Sequence, residues 1–359
     1  MKILTVVGAR PQFIKAAAVS RILRQRHTEI LVHTGQHYDY SMSDLFFEEL
    51  HIPSPDYNLG ISGGGHGSMT GRMMIALEDV MQREKPDRLL VYGDTNSTLA
   101  AALTGVKLHI PVCHVEAGIR LGTLDNPEEV NRICTDHVSS LLMTCTESSH
   151  AFLEREGLAD RAVMVGDPMF DAFVYYQERC SRDLIAFADD LDGKHIQLPE
   201  QYYYLTCHRQ ENTDTDEKIR QILSAMEQLE YPTVYPVHPR NTEQVRRVVK
   251  ENGFRKICLI QPVSYLTSIS LIKYAQKIVT DSGGLQREAF FAQKQCVTVF
   301  DRVIWPETMC GFRNQLAKPE CGDILNKLSA VQTTDPGYMP FGDGKAAEKI
   351  TMEMEKVLP

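Results

Sequence analysis

Asp94 and Glu116 each stand just beyond a short apolar run, Arg88 to Tyr92 and Pro111 to Val115, in the segments Gly93-Asp94-Thr95-Asn96-Ser97-Thr98 and Glu116-Ala117-Gly118-Ile119-Arg120. A third acidic group opens Pro127-Glu128-Glu129-Val130-Asn131-Arg132. Carboxylates gathered at neighbouring strand ends repel one another, which raises their pKa values and is costly unless they handle protons or bind cations. Two of them also have a plainer use: Asp94 suits a helix N-cap, and Glu129 complements a helix dipole. Three such groups together point to acid–base chemistry.

The second half carries residues suited to an anion. Asp281-Ser282-Gly283-Gly284-Leu285-Gln286-Arg287-Glu288 places two glycines at a helix start, where backbone amides approach and point at a phosphate. Glu288 lies on the first turns of that helix, within reach of a ribose hydroxyl. Thr206-Cys207-His208-Arg209-Gln210-Glu211-Asn212 and His238-Pro239-Arg240 follow two other apolar runs. Near the N-terminus, Gly8-Ala9-Arg10-Pro11-Gln12-Phe13-Ile14-Lys15 sets a turn, a proline at a helix start and two cations together, which also suits a phosphate. It is neither GxGxxG nor a Walker loop, so a dinucleotide or an ATP P-loop loses support. No GxSxG elbow makes Ser282 a nucleophile, and no HExxH appears; His33 and His37 are separated by a strand-to-loop break. No cofactor and no catalytic metal are expected.

These residues need a scaffold of parallel strands, because ligands in open α/β sheets bind beyond the strands' carboxyl ends. Apolar runs bounded by turn residues recur at Ile3 to Val7, Ile30 to His33, Arg88 to Tyr92, Pro111 to Val115, Leu141 to Cys145 and Ala162 to Val165. Between them, apolar positions three and four apart predict helices, as in Phe13 to Leu23 and Met73 to Met81. A polar, irregular stretch from about Asp189 to Gln201 follows. The pattern then restarts at Tyr202 to Thr206, Thr233 to Val237, Ile257 to Ile260, Lys277 to Thr280 and Cys296 to Val299. Two α/β sheets in series fit the 359 residues. After the turn-rich Pro336 to Gly344, helical spacing over Lys345 to Leu358 predicts a terminal helix.

Composition narrows the partners. With 43% hydrophobic and 24% charged residues the chain is globular, and its net charge of −9 provides no positive field for nucleic acid or anionic lipid. Nine scattered cysteines without CxxC or metal-ligand spacing read as reduced thiols, and the N-terminal apolar run is too short for a signal peptide or membrane span. A cytoplasmic location is therefore expected, with no membrane and no nucleic-acid partner.

Taken in order, GARPQFIK at 8 to 15, TGQHYD at 34 to 39, GDTNST at 93 to 98, HVEAGIR at 114 to 120, PEEVNR at 127 to 132, TCHRQEN at 206 to 212, HPR at 238 to 240 and DSGG at 281 to 284 resemble the non-hydrolysing UDP-N-acetylglucosamine 2-epimerase family. The resemblance implies a GT-B architecture: two Rossmann-like domains with parallel sheets and an active-site cleft between them, in a homodimer. It places the first domain at 1–168, joined by the C-terminal helix 345–359, and the UDP-binding domain at 169–344. It implies Asp94, Glu116 and Glu128 as catalytic carboxylates, with His208 also catalytic. Arg10, Lys15, His208, Ser282, Gly283, Gly284 and Glu288 are implied as UDP ligands. The implied reaction epimerises carbon 2 of a UDP-2-acetamido sugar through loss of UDP, a glycal intermediate and re-addition.

Departures from the family pattern bear on the substrate. The family's DSGGxQEE has become Asp281 to Glu288 with Arg287 in place of the first acid, and its RxxTERPE stretch near the sugar has become Arg302-Val303-Ile304-Trp305-Pro306-Glu307. Gly63-Gly64-Gly65-His66-Gly67-Ser68-Met69-Thr70 stands where substrate-activated members carry an Arg-Gln-Thr run, and the uracil-stacking aromatic is missing near Ser268. The Gly-His-Gly form resembles the branch acting on UDP-2,3-diacetamido-2,3-dideoxyglucuronic acid, a precursor of bacterial surface polysaccharide. UDP-N-acetylglucosamine is the alternative substrate. A GT-B glycosyltransferase shares the architecture, and a non-catalytic UDP-sugar sensor would share the cradle; neither accounts for three acids kept together.

Overall fold

Every apolar run named above forms a strand in the computed structural model, which describes residues 1–36, 49–333, 335 and 337–356. His37, Tyr38, Asp39, Pro336, Val357 and Leu358 therefore lie outside the described residues. The chain divides into two units, Met1–Val174 with Met339–Pro359, and Tyr175–Tyr338. The chain passes from the first unit to the second within the helix Pro168–Gln177, whose first residue directly precedes the expected domain start at 169.

The first unit holds a parallel sheet of β1 (Lys2–Val7), β2 (Thr28–His33), β3 (Tyr57–Asn58), β4 (Arg88–Tyr92), β5 (Val112–Val115), β6 (Leu141–Thr144) and β7 (Ala162–Met164), in the order β3-β2-β1-β4-β5-β6-β7. Its central strands β1, β4, β5 and β6 are buried on both faces, which is why they read as continuous apolar runs. On one face Leu4, Val6, Leu89 and Val91 pack against Met73 and Leu77 of the helix His66–Glu84. The terminal helix Ala346–Glu355 packs on the helix Arg10–Leu23. The Asp171 carboxylate caps it by accepting from the amides of Ala346 (3.0 Å) and Ala347 (2.7 Å).

The second unit contains an antiparallel hairpin, β8 (Phe187–Asp189) and β9 (His195–Gln197), whose second strand lies inside the stretch expected to be irregular. Its main sheet contains β10 (Tyr203–Thr206), β11 (Thr233–Pro236), β12 (Ile257–Ile260), β13 (Ile278–Thr280), β14 (Cys296–Val299) and β15 (Asn314–Ala317), ordered β12-β11-β10-β13-β14-β15 and parallel throughout. Successive side chains alternate between faces. Tyr203 and Leu205 join Ile219, Leu223 and Met226 on one side, while Tyr202 and Tyr204 join Leu271 and Ile272 on the other.

In both sheets the strand order reverses at the first strand, between β1 and β4 and between β10 and β13. Loops leaving adjacent strands in opposite directions open a crevice at such a point. Gly8 and Asp94 follow β1 and β4; His208 and Asp281 follow β10 and β13. No helix among the described residues is long and apolar enough to cross a membrane.

Candidate active site

The turn after β5 carries Glu116 in a left-handed backbone conformation, φ 72°, which a residue with a Cβ adopts only when its surroundings enforce it. The enforcing contacts are visible. The amides of Glu116 and Ala117 both donate to the Met143 carbonyl (3.0 and 3.2 Å), at the end of β6. Behind the turn, His114 lies between the Gly93 carbonyl (2.7 Å) and Asp136 (2.7 Å). Asp136 also accepts from the Gly118 amide (3.1 Å) and from Arg120 (2.7 Å). Burial alone would raise the pKa of Asp136, yet His114 and Arg120 outweigh it and hold the carboxyl below its ordinary value.

Glu116 is buried and ion-paired with the equally buried Lys15. Lys15, expected as a UDP ligand, is thus placed on a carboxylate. The Glu116 and Asp167 carboxylates and the Cys145 thiol bring ligand-type atoms within 4.8 Å of one another, and the Lys15 ammonium already supplies that cluster with a cation.

Asp94, half-buried on the turn after β4, is ion-paired with Arg132. The same guanidinium donates to Glu129 (2.6 Å), whose other oxygen accepts from the amides of Leu121 (2.8 Å) and Gly122 (3.0 Å). Burial works against the charged Arg132, but Asp94, Glu129 and Glu116 outweigh it and push its pKa up. The repulsion expected among clustered acids is therefore offset by two buried cations, Lys15 and Arg132. Glu128 stays exposed, its amide donating to Asn126 Oδ1 (2.9 Å), while its neighbour Glu129 enters the buried network. Glu129 is thereby more than a helix-dipole acid.

The turn after β1 is closed on itself. Gln12 Oε1 accepts from the amides of Gly8 (2.7 Å) and Ala9 (3.1 Å), and its Nε2 donates to the Tyr92 carbonyl (2.7 Å) and to Thr98 (2.9 Å). In the segment expected to suit a phosphate, Gln12 thus occupies the Gly8 and Ala9 amides, and Lys15 is paired with Glu116. Arg10 sits half-exposed at the first helical position. Gly8 has to be glycine here, since a Cβ would run into the hydroxyls of Ser97 and Thr34.

The glycine loop before the helix His66–Glu84 takes positive φ at Gly63 and Gly64 and is pinned by Arg72, which donates to the carbonyls of Ser62 (3.1 Å) and Gly63 (2.6 Å). His66 Nδ1 lies 3.2 Å from Asn96 Nδ2. Asn131 Nδ2 then bonds both Asn96 Oδ1 (3.2 Å) and the Asp94 carbonyl (2.9 Å), which links the loop to the Asp94 turn.

In the second unit Ser282 caps the helix Gly283–Phe291, its hydroxyl accepting from the Leu285 amide (3.4 Å). Gly283 and Gly284 occupy the first two helical positions, whose amides have no acceptor within a helix and suit an anion. Glu288 is buried further along the same helix. Asp281, fully buried at the end of β13, organises the neighbouring loop: one oxygen accepts from the amides of His208 (2.8 Å) and Arg209 (2.7 Å), and the other lies 3.0 Å from His208 Nδ1. Burial would raise its pKa, but His208 and the two amides hold it below the ordinary carboxylate value. The Nδ1 contact leaves His208 Nε2 for a ligand. Across from it the His238 ring stacks at 6.3 Å, its pKa pushed down by burial, Arg240 and His208. Asp281, Arg132, Gln12 and Asp136 were not assigned functional roles from the sequence, although the first three stand inside quoted motifs.

Two parallel sheets with this strand order, one followed by paired acids and the other by glycine amides at a helix start, define a GT-B protein. The family model described as UDP-N-acetylglucosamine 2-epimerase matches residues 21–355, and the chain belongs to that family, whose members are isomerases. It is 42% identical over 354 residues to a UDP-N-acetylglucosamine 2-epimerase homolog of Methanococcus maripaludis, covering 98% of each chain. It is also 42% identical over 368 residues to the UDP-2,3-diacetamido-2,3-dideoxy-D-glucuronate 2-epimerase of Pseudomonas aeruginosa, covering 99% of this chain and 100% of that one. Among solved structures, the Methanocaldococcus jannaschii UDP-GlcNAc 2-epimerase in complex with UDP-GlcNAc and UDP superposes with a TM-score of 0.87 at 35% identity, covering 99% of each chain.

Proposed function

We propose that this chain epimerises carbon 2 of a UDP-2-acetamido sugar. The carbon 2 hydrogen is not acidic, so its removal is coupled to cleavage of the carbon 1–oxygen bond: UDP departs with the electron pair and a glycal remains. A proton delivered to the opposite face of carbon 2, with return of UDP to carbon 1, completes the inversion. The observation that carries this reading is the placement of Asp94 and Glu116 at the ends of the adjacent strands β4 and β5, each paired with a buried cation. These two, with the exposed Glu128, handle the proton on either face. In the second unit the Gly283 and Gly284 amides, Ser282 and His208 hold the pyrophosphate, and Glu288 holds the ribose.

UDP-2,3-diacetamido-2,3-dideoxyglucuronic acid is the proposed substrate. Full-length similarity to the Pseudomonas aeruginosa enzyme supports it, as do the Gly-His-Gly loop and the apolar Ile304 and Trp305. UDP-GlcNAc is the second reading, favoured by the equal identity to the Methanococcus maripaludis homolog. Incubation with either UDP-sugar alone in deuterated water tests the reaction. Deuterium is expected at carbon 2 without any acceptor, and its absence from both sugars would defeat the epimerase assignment. The kcat/KM values for the two sugars then decide between them.

A further inference from the structure

The His114 ring, on β5, is wholly buried, and both of its nitrogens meet oxygens: Nε2 lies 2.7 Å from the Gly93 carbonyl and Nδ1 lies 2.7 Å from Asp136 Oδ1. A carbonyl only accepts a hydrogen bond, and so does an ionised carboxylate. Asp136 is ionised, because its second oxygen accepts from the Gly118 amide and from Arg120, and its carboxyl is held below the ordinary value. A neutral imidazole would set a lone pair against one of the two oxygens, whichever tautomer it took. The local charge agrees with a ring protonated on both nitrogens. Asp136 and Glu156 share one guanidinium, since Arg120 also donates to both Glu156 oxygens (2.7 and 2.6 Å), and the imidazolium brings the second positive charge.

Each end of the ring reaches one of the two turns that carry the proposed acids. At the Nε2 end, Gly93 directly precedes Asp94, and its own amide donates to the Val115 carbonyl (2.9 Å) beside Glu116. Gly93 takes φ 62°, and a Cβ placed on it would lie 3.4 Å from Lys15 Nζ and 3.6 Å from Glu116 Oε1, so its backbone runs against that ion pair. At the Nδ1 end, Asp136 holds the Gly118 amide and thereby the turn in which Glu116 sits at φ 72°. A non-glycine residue in that conformation keeps it only while the surrounding bonds enforce it.

We infer that His114 is a positioning residue for the proposed epimerisation: donating from both nitrogens, it clamps the Asp94 turn to the Glu116 turn and fixes the two acids relative to each other. The inference rests on the reading of Asp94 and Glu116 as proton-handling groups. A displacement of about 1 Å at a reacting group is worth about 10²-fold in rate, and a ring that donates at one end only lets one of the turns go.

The full chain, carrying isotopically labelled histidine, is examined at neutral pH by long-range proton–nitrogen correlation, with the His114 ring assigned through its own backbone amide. Hydrogens are expected on both ring nitrogens, with UDP and without it. His114→Gln, which cannot donate in both directions, is expected to lower kcat for carbon 2 epimerisation by about 10²-fold while KM and the calorimetric affinity for UDP stay within about twofold. A bare nitrogen on the His114 ring of the parent overturns the clamp, and this outcome is decidable even if His114→Gln does not fold. Turnover of His114→Gln within about threefold of the parent overturns it too, as does a loss of UDP affinity equal to the loss of turnover, which would make the ring a general prop of the fold. A parent that places no deuterium at carbon 2 of either UDP-sugar defeats the epimerase reading instead, and that result is separate from the ring signals.

Discussion

Replacing Lys15 with methionine separates two roles for a residue that the sequence places near a phosphate and the structure places on Glu116. The side chains of Lys15 and Glu116 are only 3% and 7% exposed, so neither charge has water to fall back on. Removing one member of a buried ion pair costs about 3–5 kcal/mol, because the remaining charge is left without compensation. Glu116 also sits at φ 72°, where a non-glycine residue carries about 1–3 kcal/mol of strain that the surrounding contacts must absorb. Lys15→Met should therefore lower unfolding stability by about 3 kcal/mol or more. The double variant Lys15→Met with Glu116→Gln removes both charges, and it should recover at least about 2 kcal/mol relative to the sum of the single changes. Urea unfolding at neutral pH measures the cycle, and calorimetric titration with UDP is run beside it. If Lys15 serves Glu116, UDP affinity stays within about twofold in Lys15→Met while turnover collapses, since one proton-handling group is typically worth about 10²- to 10⁴-fold. A stability loss below about 1 kcal/mol with strictly additive single changes would refute the buried-pair argument. A UDP affinity loss above about tenfold, some 1.4 kcal/mol, would return Lys15 to the nucleotide.

Arg132→Met strips the shared cation from Asp94 and Glu129 and should cost about 3–5 kcal/mol in urea unfolding, with Arg132→Lys intermediate because it keeps the charge and loses the fork; equal stability of both variants with the parent would argue against the network. Asp281→Asn takes a charged acceptor from the His208 and Arg209 amides and should weaken UDP binding about tenfold by calorimetry. An unchanged affinity would detach Asp281 from the cradle. Asp136 is held below its ordinary value when folded, so the stability its ion pairs contribute is fully present above the usual carboxylate range and is lost as pH falls through the folded-state value. Between pH 7 and about 3, the urea midpoint of Asp136→Asn should start lower and fall less steeply than that of the parent, and parallel curves would exclude this contribution.

The strands were legible because parallel sheets bury both faces, and runs such as Leu89 to Tyr92 leave little else to read. β15 was not, since it opens with Asn314 and Gln315; their cost is met locally, where Thr298 donates to Asn314 Oδ1 (2.8 Å) and Gln315 donates to the Lys327 carbonyl (2.9 Å). The hairpin β8–β9 has outward-facing Phe187 and His195, so no buried stripe announces it. The site follows the same logic. Candidate residues directly after strands could be placed from the sequence, because the strand fixes where they stand, but their partners could not. Lys15 and Glu116 lie on different elements far apart in sequence, and only the β1-β4-β5 order brings them together.

The helix Pro127–Val138 shows most sharply where reading by residue type stops. It buries Glu129, Asn131, Arg132, Thr135 and Asp136 while Val130 is exposed, so its inward stripe keeps helical spacing with the usual chemistry inverted. At 3.6 residues per turn, Glu128 and Glu129 point about 100° apart, and hydrophobic periodicity gives no phase with which to choose between them. What sets the phase is charge. Arg132 has to meet both Asp94 and Glu129, and Asp136 has to meet His114 and Arg120, which turns Glu128 outward. The exposed Glu128 is left for the proton-handling role proposed above, whereas Glu129, turned inward, is already spent on Arg132 and two amides. The division of labour between these adjacent glutamates follows from the ion pairs behind them.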